Sequence, residues 1–223
     1  MELDFFANGL CLHCHLAQNE LINFISFNDE TENSWKKKDE KLQEKLDEIL
    51  SKYPKEHHRD IIESYSWELH LNQTKYPRIH RESLVITIYN FFEDQLNRLC
   101  AIFSECVNSN IKLKDLKGKG IERALLYLSK VACIDLSGMG RELPYIKNVN
   151  ALRNQIVHNG AFLPENPEHM ANKFVSQNPN LSGEGSSLIY LRSGFIDEMI
   201  KVLIDFFEKL GNEVQAFIHK YNA

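Results

Sequence analysis

The spacing of the apolar residues is the feature that most constrains the fold of this 223-residue chain. From Leu84 to Phe103 and again from Phe195 to Phe217, apolar residues recur at steps of three and four. This period places them on one face of an α-helix. Similar reasoning predicts further helices, with Pro54 and Pro77 closing two of them, over residues 5–27, 35–53, 55–75, 121–131 and 143–158. We therefore expect an all-α helical bundle.

A long polar segment interrupts this pattern between Phe162 and Ser187 and contains several prolines and glycines. Long loops of this kind are usually functional or partly disordered. Residues 188–191 suit a short strand, which would form a β-hairpin before the C-terminal helix if it paired with residues near Phe174 and Val175. We expect a single domain, in which residues 1–77 form a helical extension packed on a core of residues 83–223.

The charge and cysteine content exclude several classes of protein. A net charge of −5 and a pI near 6.0 argue against a broad basic surface for duplex DNA. The five cysteines cannot all pair, which favours a reducing compartment. Glu2 and Asp4 stand where a signal peptide would carry basic residues, and no apolar run has the length of a membrane span. We therefore expect a cytoplasmic protein without a membrane partner, and any nucleic acid must bind locally.

The helix predicted over residues 143–158 carries the most informative polar residues. At about 100° per residue, its apolar stripe faces the core while Lys147, Asn154 and His158 lie on the opposite face, with Arg153 between the two faces. A guanidinium offers a fixed fork of donors to a phosphate, and an imidazole transfers protons near neutral pH. This set suits cleavage of a phosphodiester. One arginine and one histidine are few for that reaction, whereas two copies across a two-fold axis would suffice.

Arg153, Asn154 and His158 resemble the motif of the HEPN superfamily, in which an arginine, commonly followed by a polar residue, precedes a histidine by a short interval. The resemblance implies a homodimeric helical bundle whose two motifs face each other. It also implies a metal-independent endoribonuclease that cleaves RNA through the 2′-hydroxyl and needs no cofactor. In that reaction Arg153 would stabilise the phosphate, His158 would transfer protons and Asn154 would orient one of the reacting groups.

Members of this superfamily act in toxin–antitoxin, phage-defence and RNA-processing systems, and some bind without cutting. An antitoxin or another defence-system protein is therefore an expected partner. Gly160 stands where one branch has a tyrosine that its nucleotidyltransferase antitoxin modifies, so we do not expect that mode of control. The alternatives are a non-catalytic RNA- or nucleotide-binding helical module and a structural protein that docks a partner on the helix of residues 195–217.

Two further clusters are candidates for binding. Lys117, Lys119 and Arg123 surround a predicted helix start, where they could contact the RNA backbone together with Lys147, although a solvated loop is the alternative. Residues 11–15 (Cys-Leu-His-Cys-His) offer thiol and imidazole groups that suit zinc, but no second ligand pair with matching spacing follows. We therefore expect the cysteines to pack as small apolar residues and predict no metal site.

Overall fold

The computed structural model describes residues 9–221, which form a helical bundle with a two-stranded antiparallel hairpin before the last helix. This confirms the predicted all-α class. None of the helices in this range has the unbroken apolar length that crossing a bilayer requires. The elements are α1 (His13–Lys52), α2 (His58–His70), α3 (Tyr76–Cys106), α4 (Gly120–Lys130), α5 (Glu142–Asn159), α6 (Met170–Gln177), β1 (Leu181–Ser182), β2 (Tyr190–Leu191) and α7 (Ser193–Tyr221).

Helices α3 and α7 meet in the core through a cluster of aromatic rings. Phe92 of α3 meets Phe206 and Phe207 of α7 edge to face, with ring centroids 5.1 and 5.3 Å apart. All three rings are fully buried. Edge-to-face aromatic pairs stabilise a core beyond the area that they bury. Residues that the sequence period placed on the apolar faces of these two helices are therefore buried against each other.

Helix α1 is one continuous helix of 40 residues, so the prediction of two helices over 5–27 and 35–53 is wrong. Residues 28–34 between them are polar but contain neither glycine nor proline, and nothing in that stretch forces the helix to end. The first half of α1 buries Ala17 and Leu21 in the main core. Its second half, which contacts α2, buries Leu42 and Leu46. Residues 5–8 of the first predicted helix lie outside the described residues.

Pro77 does not end a helix, contrary to the prediction. A π-helical turn, Leu71–Lys75, joins α2 directly to α3, and Pro77 is the second residue of α3. A proline removes one backbone donor and its ring crowds the carbonyl four residues earlier, here that of Gln73. Because Gln73 lies within the wider π turn, the chain passes Pro77 without breaking. The result is a helical rod from His58 to Cys106.

The segment after α5 contains a short helix and a hairpin. Gly160 ends α5 in the left-handed conformation with φ of 62°, and the next residue is tied back because the Ile189 amide donates to the Ala161 carbonyl at 2.8 Å. Strand β2 pairs with β1, and Phe174 and Val175 are buried residues of α6. The predicted strand at 188–191 is present in part, whereas its predicted partner is wrong.

The start of α5 is fixed to α7 by an ion pair whose carboxylate is buried. Glu142 is 2% exposed, and Lys209 Nζ lies 2.9 Å from each of its carboxylate oxygens and 3.2 Å from the Gly138 carbonyl. Burial alone would raise the pKa of Glu142, but the hydrogen bonds and charge of Lys209 outweigh it and the pKa is lowered. This pair helps to set the position of α5, the helix that carries the Arg153 motif.

Candidate functional site

Arg153 lies in the middle of α5, half-buried at the junction with α3. Its Nη2 donates to Asn90 Oδ1 on α3 at 3.3 Å, and its Nη1 donates to Asn154 Oδ1 at 3.2 Å. Its Cζ lies 5.9 Å from the ring centroid of Tyr89, within range of a cation–π contact. Nε is buried and has no hydrogen-bond partner within residues 9–221. The guanidinium is therefore oriented by neighbouring side chains but is not neutralised by an ion pair among these contacts.

Tyr89 supplies an uncharged floor below this guanidinium. Burial, together with the negative charges of Glu93 and Glu122, raises the pKa of Tyr89 to about 12, although the positive charge of Arg153 acts in the opposite direction. The phenol therefore stays protonated at neutral pH. It does not compete with a bound anion for the charge of Arg153.

Arg153 and Asn154 line a cleft of about 550 Å³ between α3, α4 and α5, which we call the main cleft. Its other charged residues are Lys119 at the start of α4, Lys147 on α5, Glu93 and Glu122. Three positive charges thus face two negative ones, in a chain whose net charge is −5. A local positive excess of this kind attracts anions to the cleft while the rest of the surface repels them.

A second, smaller cavity of about 300 Å³ lies beside the main cleft, between α5 and the start of α6, and we call it the side lobe. The two cavities share Glu122, Lys147, Asn150 and Asn154 as lining residues. They therefore form one groove along the polar face of α5. The side lobe adds His169, which precedes α6.

The residues singled out from the sequence are only partly brought together. Arg153, Asn154, Lys147 and Lys119 line the groove. His158 is exposed one turn further along α5, and it lines neither cavity within the single described chain.

The rest of the predicted basic cluster also lies outside the groove lining. Lys117 is exposed, and Arg123 is half-buried beside Gly118, where its Cβ would lie 3.7 Å from a side-chain carbon placed on that glycine. Gly118 has a φ of +106°, which turns the chain just before α4 begins. Lys119, after this turn, is the member of the cluster that reaches the main cleft.

Asn150, Glu122 and His169 are among the polar groove residues that the sequence did not indicate. Asn150 lies one turn before Asn154 on α5, so the helical spacing that selected Lys147 and Asn154 could have found it. Glu122 is in the first turn of α4 and is an acidic residue among the basic residues that surround this helix start. His169 belongs to the polar segment between Phe162 and Ser187, for which the sequence predicts a long loop. Histidine is not among the residues that usually signal a helix start, so no local pattern indicated it.

The cysteine- and histidine-rich segment near the N-terminus contributes to packing. Burial raises the pKa of the Cys14 thiol to about 12, which keeps it neutral in the core. The His13 ring bonds the Gln95 carbonyl at 2.9 Å, and His15 bonds Asn19. Across residues 9–221, no group of three or more histidine, cysteine, aspartate or glutamate side chains is arranged to hold a metal ion.

Comparison of the chain with protein-family models, with curated proteins and with solved structures gives no significant match.

Proposed function

We propose that the protein is a metal-independent endoribonuclease of the HEPN type, which cleaves RNA through attack of the 2′-hydroxyl on the adjacent phosphate. The observation that carries the proposal is the main cleft, in which an oriented, unpaired Arg153 and the amide of Asn154 lie among lysines on an otherwise acidic protein. In this proposal the enzyme is cytoplasmic and acts in a toxin–antitoxin or phage-defence system with a partner protein.

Arg153 is suited to stabilise the phosphate as negative charge builds up during attack. Its Asn90 and Asn154 contacts fix the plane of the guanidinium before substrate binds, so little reorganisation is needed during the reaction. Lys119 and Lys147 line the same cleft and would bind flanking phosphates. The amide of Asn154 would hold the attacking hydroxyl or the leaving oxygen.

His158 supplies the proton transfer in this proposal, and its position explains why two copies are required. It lies at the exposed end of α5, flanked by Val157 and Phe162, whose exposed fractions are 41% and 51%. Exposed apolar side chains beside a polar group favour burial against a partner surface. A homodimer across this end of α5 would cover them and bring the histidine of one subunit to the groove of the other.

The test is cleavage of a short RNA in EDTA by the wild type, Arg153→Ala and His158→Ala. Both variants should be inactive by themselves. If each site takes its arginine from one subunit and its histidine from the other, a heterodimer of the two variants contains one intact site. Mixing the variants and allowing their subunits to exchange should then restore at most half of the activity of a wild-type dimer to each heterodimer. Wild-type cleavage no faster than that of His158→Ala would contradict the catalytic proposal, and a lack of recovery on mixing would contradict the shared site.

A non-catalytic RNA- or nucleotide-binding module is the second candidate. The observation that favours it is the distance of His158 from the groove within one chain, because the groove itself contains groups for binding. RNA that binds tightly in the same assay and is recovered intact would select this function.

A further inference from the structure

The side lobe extends the groove beyond the residues that resemble the HEPN motif. Along α5 the lining of the two cavities runs from Leu143 to Gln155, a length of about 18 Å at 1.5 Å per residue. The motif residues Arg153 and Asn154 lie near one end of this path, where α5 meets α6. A ligand bound at Arg153 that continues past Asn154 therefore meets the side lobe and His169.

His169 is held in one tautomer by the backbone of α6. As the residue before this helix, it accepts a hydrogen bond at Nδ1 from the Ala171 amide at 3.1 Å. A neutral imidazole carries its hydrogen on the other ring nitrogen when Nδ1 accepts. Nε2–H is therefore the group that His169 offers to a ligand, and it is a donor. This donor suits an anionic oxygen.

The position of His169 relative to α5 is fixed by packing. Its amide donates to the Asn166 carbonyl at 3.0 Å, and its carbonyl accepts from the Lys173 amide at 3.1 Å. Phe174 on the same helix packs edge to face on Tyr145 of α5, with ring centroids 5.5 Å apart. The imidazole thus belongs to a wall of the groove that is hydrogen-bonded at its turn and packed against α5.

We propose that His169 is a substrate-binding residue of the groove, whose Nε2–H donates to a phosphate oxygen of the RNA next to the one that Arg153 binds. The inference rests on the proposed function, because it assumes that the anion in the main cleft is a polynucleotide. A residue of the polar segment between Phe162 and Ser187 would thus bind the RNA directly. Lys147, which lines both cavities, would contact the same stretch of backbone.

The experiment separates the ligand contact from the role of His169 as a helix cap. His169→Ser keeps an oxygen that accepts from the Ala171 amide but removes the Nε2–H donor, because serine is a preferred residue at this position. The probe is a short fluorescein-labelled 2′-O-methyl RNA, which cannot be cleaved through its 2′-oxygen. Its Kd is measured by fluorescence anisotropy in EDTA for the wild type, His169→Ser and Arg153→Ala. His219→Ser, an exposed histidine near the end of α7, is the matched control.

We expect His169→Ser to raise the Kd by about tenfold, since a hydrogen bond to a charged group is lost, while its thermal unfolding stays that of the wild type. His219→Ser should bind as the wild type does. Equal binding by His169→Ser and the wild type, with weaker binding by Arg153→Ala, would overturn the inference and leave the proposed function standing. Equal binding by Arg153→Ala and the wild type would overturn both.

Discussion

Replacing Lys209 by methionine should destabilise the fold because it leaves Glu142 buried without its counter-ion. Loss of one partner of a fully buried ion pair costs about 3–5 kcal/mol. Because Lys209 is 42% exposed, water can reach the carboxylate from that side in the variant, and we expect a loss of about 2 kcal/mol in the free energy of unfolding. For a domain of this size such a loss lowers Tm by about 4–8 °C.

The effect should depend on pH in a defined direction. The pKa of Glu142 is lowered in the folded protein, so the pair stabilises the fold at pH values above the ordinary pKa of a glutamate, about 4.3. This stabilisation is lost as the pH falls through the lowered value, where the carboxylate takes up a proton. In Lys209→Met, burial without the counter-ion raises the pKa of Glu142, so the variant relieves its buried charge by taking up a proton as the pH falls. The difference in stability between the wild type and Lys209→Met should therefore be full at pH 7, begin to shrink as the pH falls toward about 4, and shrink further below it.

Chemical denaturation followed by circular dichroism, at neutral and at acidic pH, measures this difference. Lys201→Met is the matched control, because Lys201 is an exposed lysine of the same helix and forms no ion pair within residues 9–221. Adding Glu142→Gln to Lys209→Met should recover about half of the loss, since a neutral amide is less costly to bury than a charge. Equal free energies of unfolding for Lys209→Met and Lys201→Met at neutral pH would show that the ion pair with Glu142 does not stabilise the fold.

Three further predictions concern the motif, the end of its helix and the core. Arg153→Lys should lower the rate of RNA cleavage by about 10²–10³-fold, because lysine lacks the planar fork of guanidinium donors. Asn90→Ala should lower that rate by about tenfold in the same assay, because it removes a hydrogen bond that orients Arg153. Gly160→Ala should cost about 1 kcal/mol, since its φ is positive, whereas Gly138→Ala should leave Tm unchanged in parallel thermal scans. Phe92→Ala should cost about 3–5 kcal/mol in urea unfolding, and a loss under 1 kcal/mol would contradict its central position.

The parts of the fold that a local period determines could be predicted from the sequence. Helices α3, α5 and α7 each bury one apolar stripe, and the side chains of Leu152 and Ile156 are buried as their spacing requires. Burial of such a stripe dominates the stability of a helix in a protein, so the pattern indicates both the element and its inner face.

The predicted helix ends were wrong where tertiary contacts carry a helix through a polar stretch or where a local turn accommodates a proline. Residues 28–34 have no apolar period, yet Asn28 is buried and donates to Asp197 of α7, which holds the middle of α1 in place. Pro77 is accommodated by a π turn that no single-residue signal indicates. The partner of β2 was wrong because pairing of two-residue strands is set by the surrounding chain and not by their own sequence.

In the candidate site, too, the residues that share a helix face could be predicted from the sequence, whereas those that depend on contacts between segments could not. The helical spacing predicts that Lys147 and Asn154 share a face, and they do line one groove. The angle around the helix axis does not specify where the groove ends along that axis, so the same criterion also grouped His158 with them, although that residue lies beyond the groove. His169 reaches the groove through the packing of α6 on α5, a contact between segments that no local pattern encodes.

The long hairpin formed by α1 and the α2–α3 rod offers a practical site for engineering. Its turn, at Tyr53 and Pro54, is exposed and precedes the first residue of the rod, His58, which lies about 46 Å from Tyr89 along the rod at 1.5 Å per residue. Exposed turns between helices tolerate inserted sequence, because no buried contact has to be broken. A fluorescent domain or an affinity tag inserted there would report on subunit exchange and RNA binding at a distance from both the groove and the exposed end of α5.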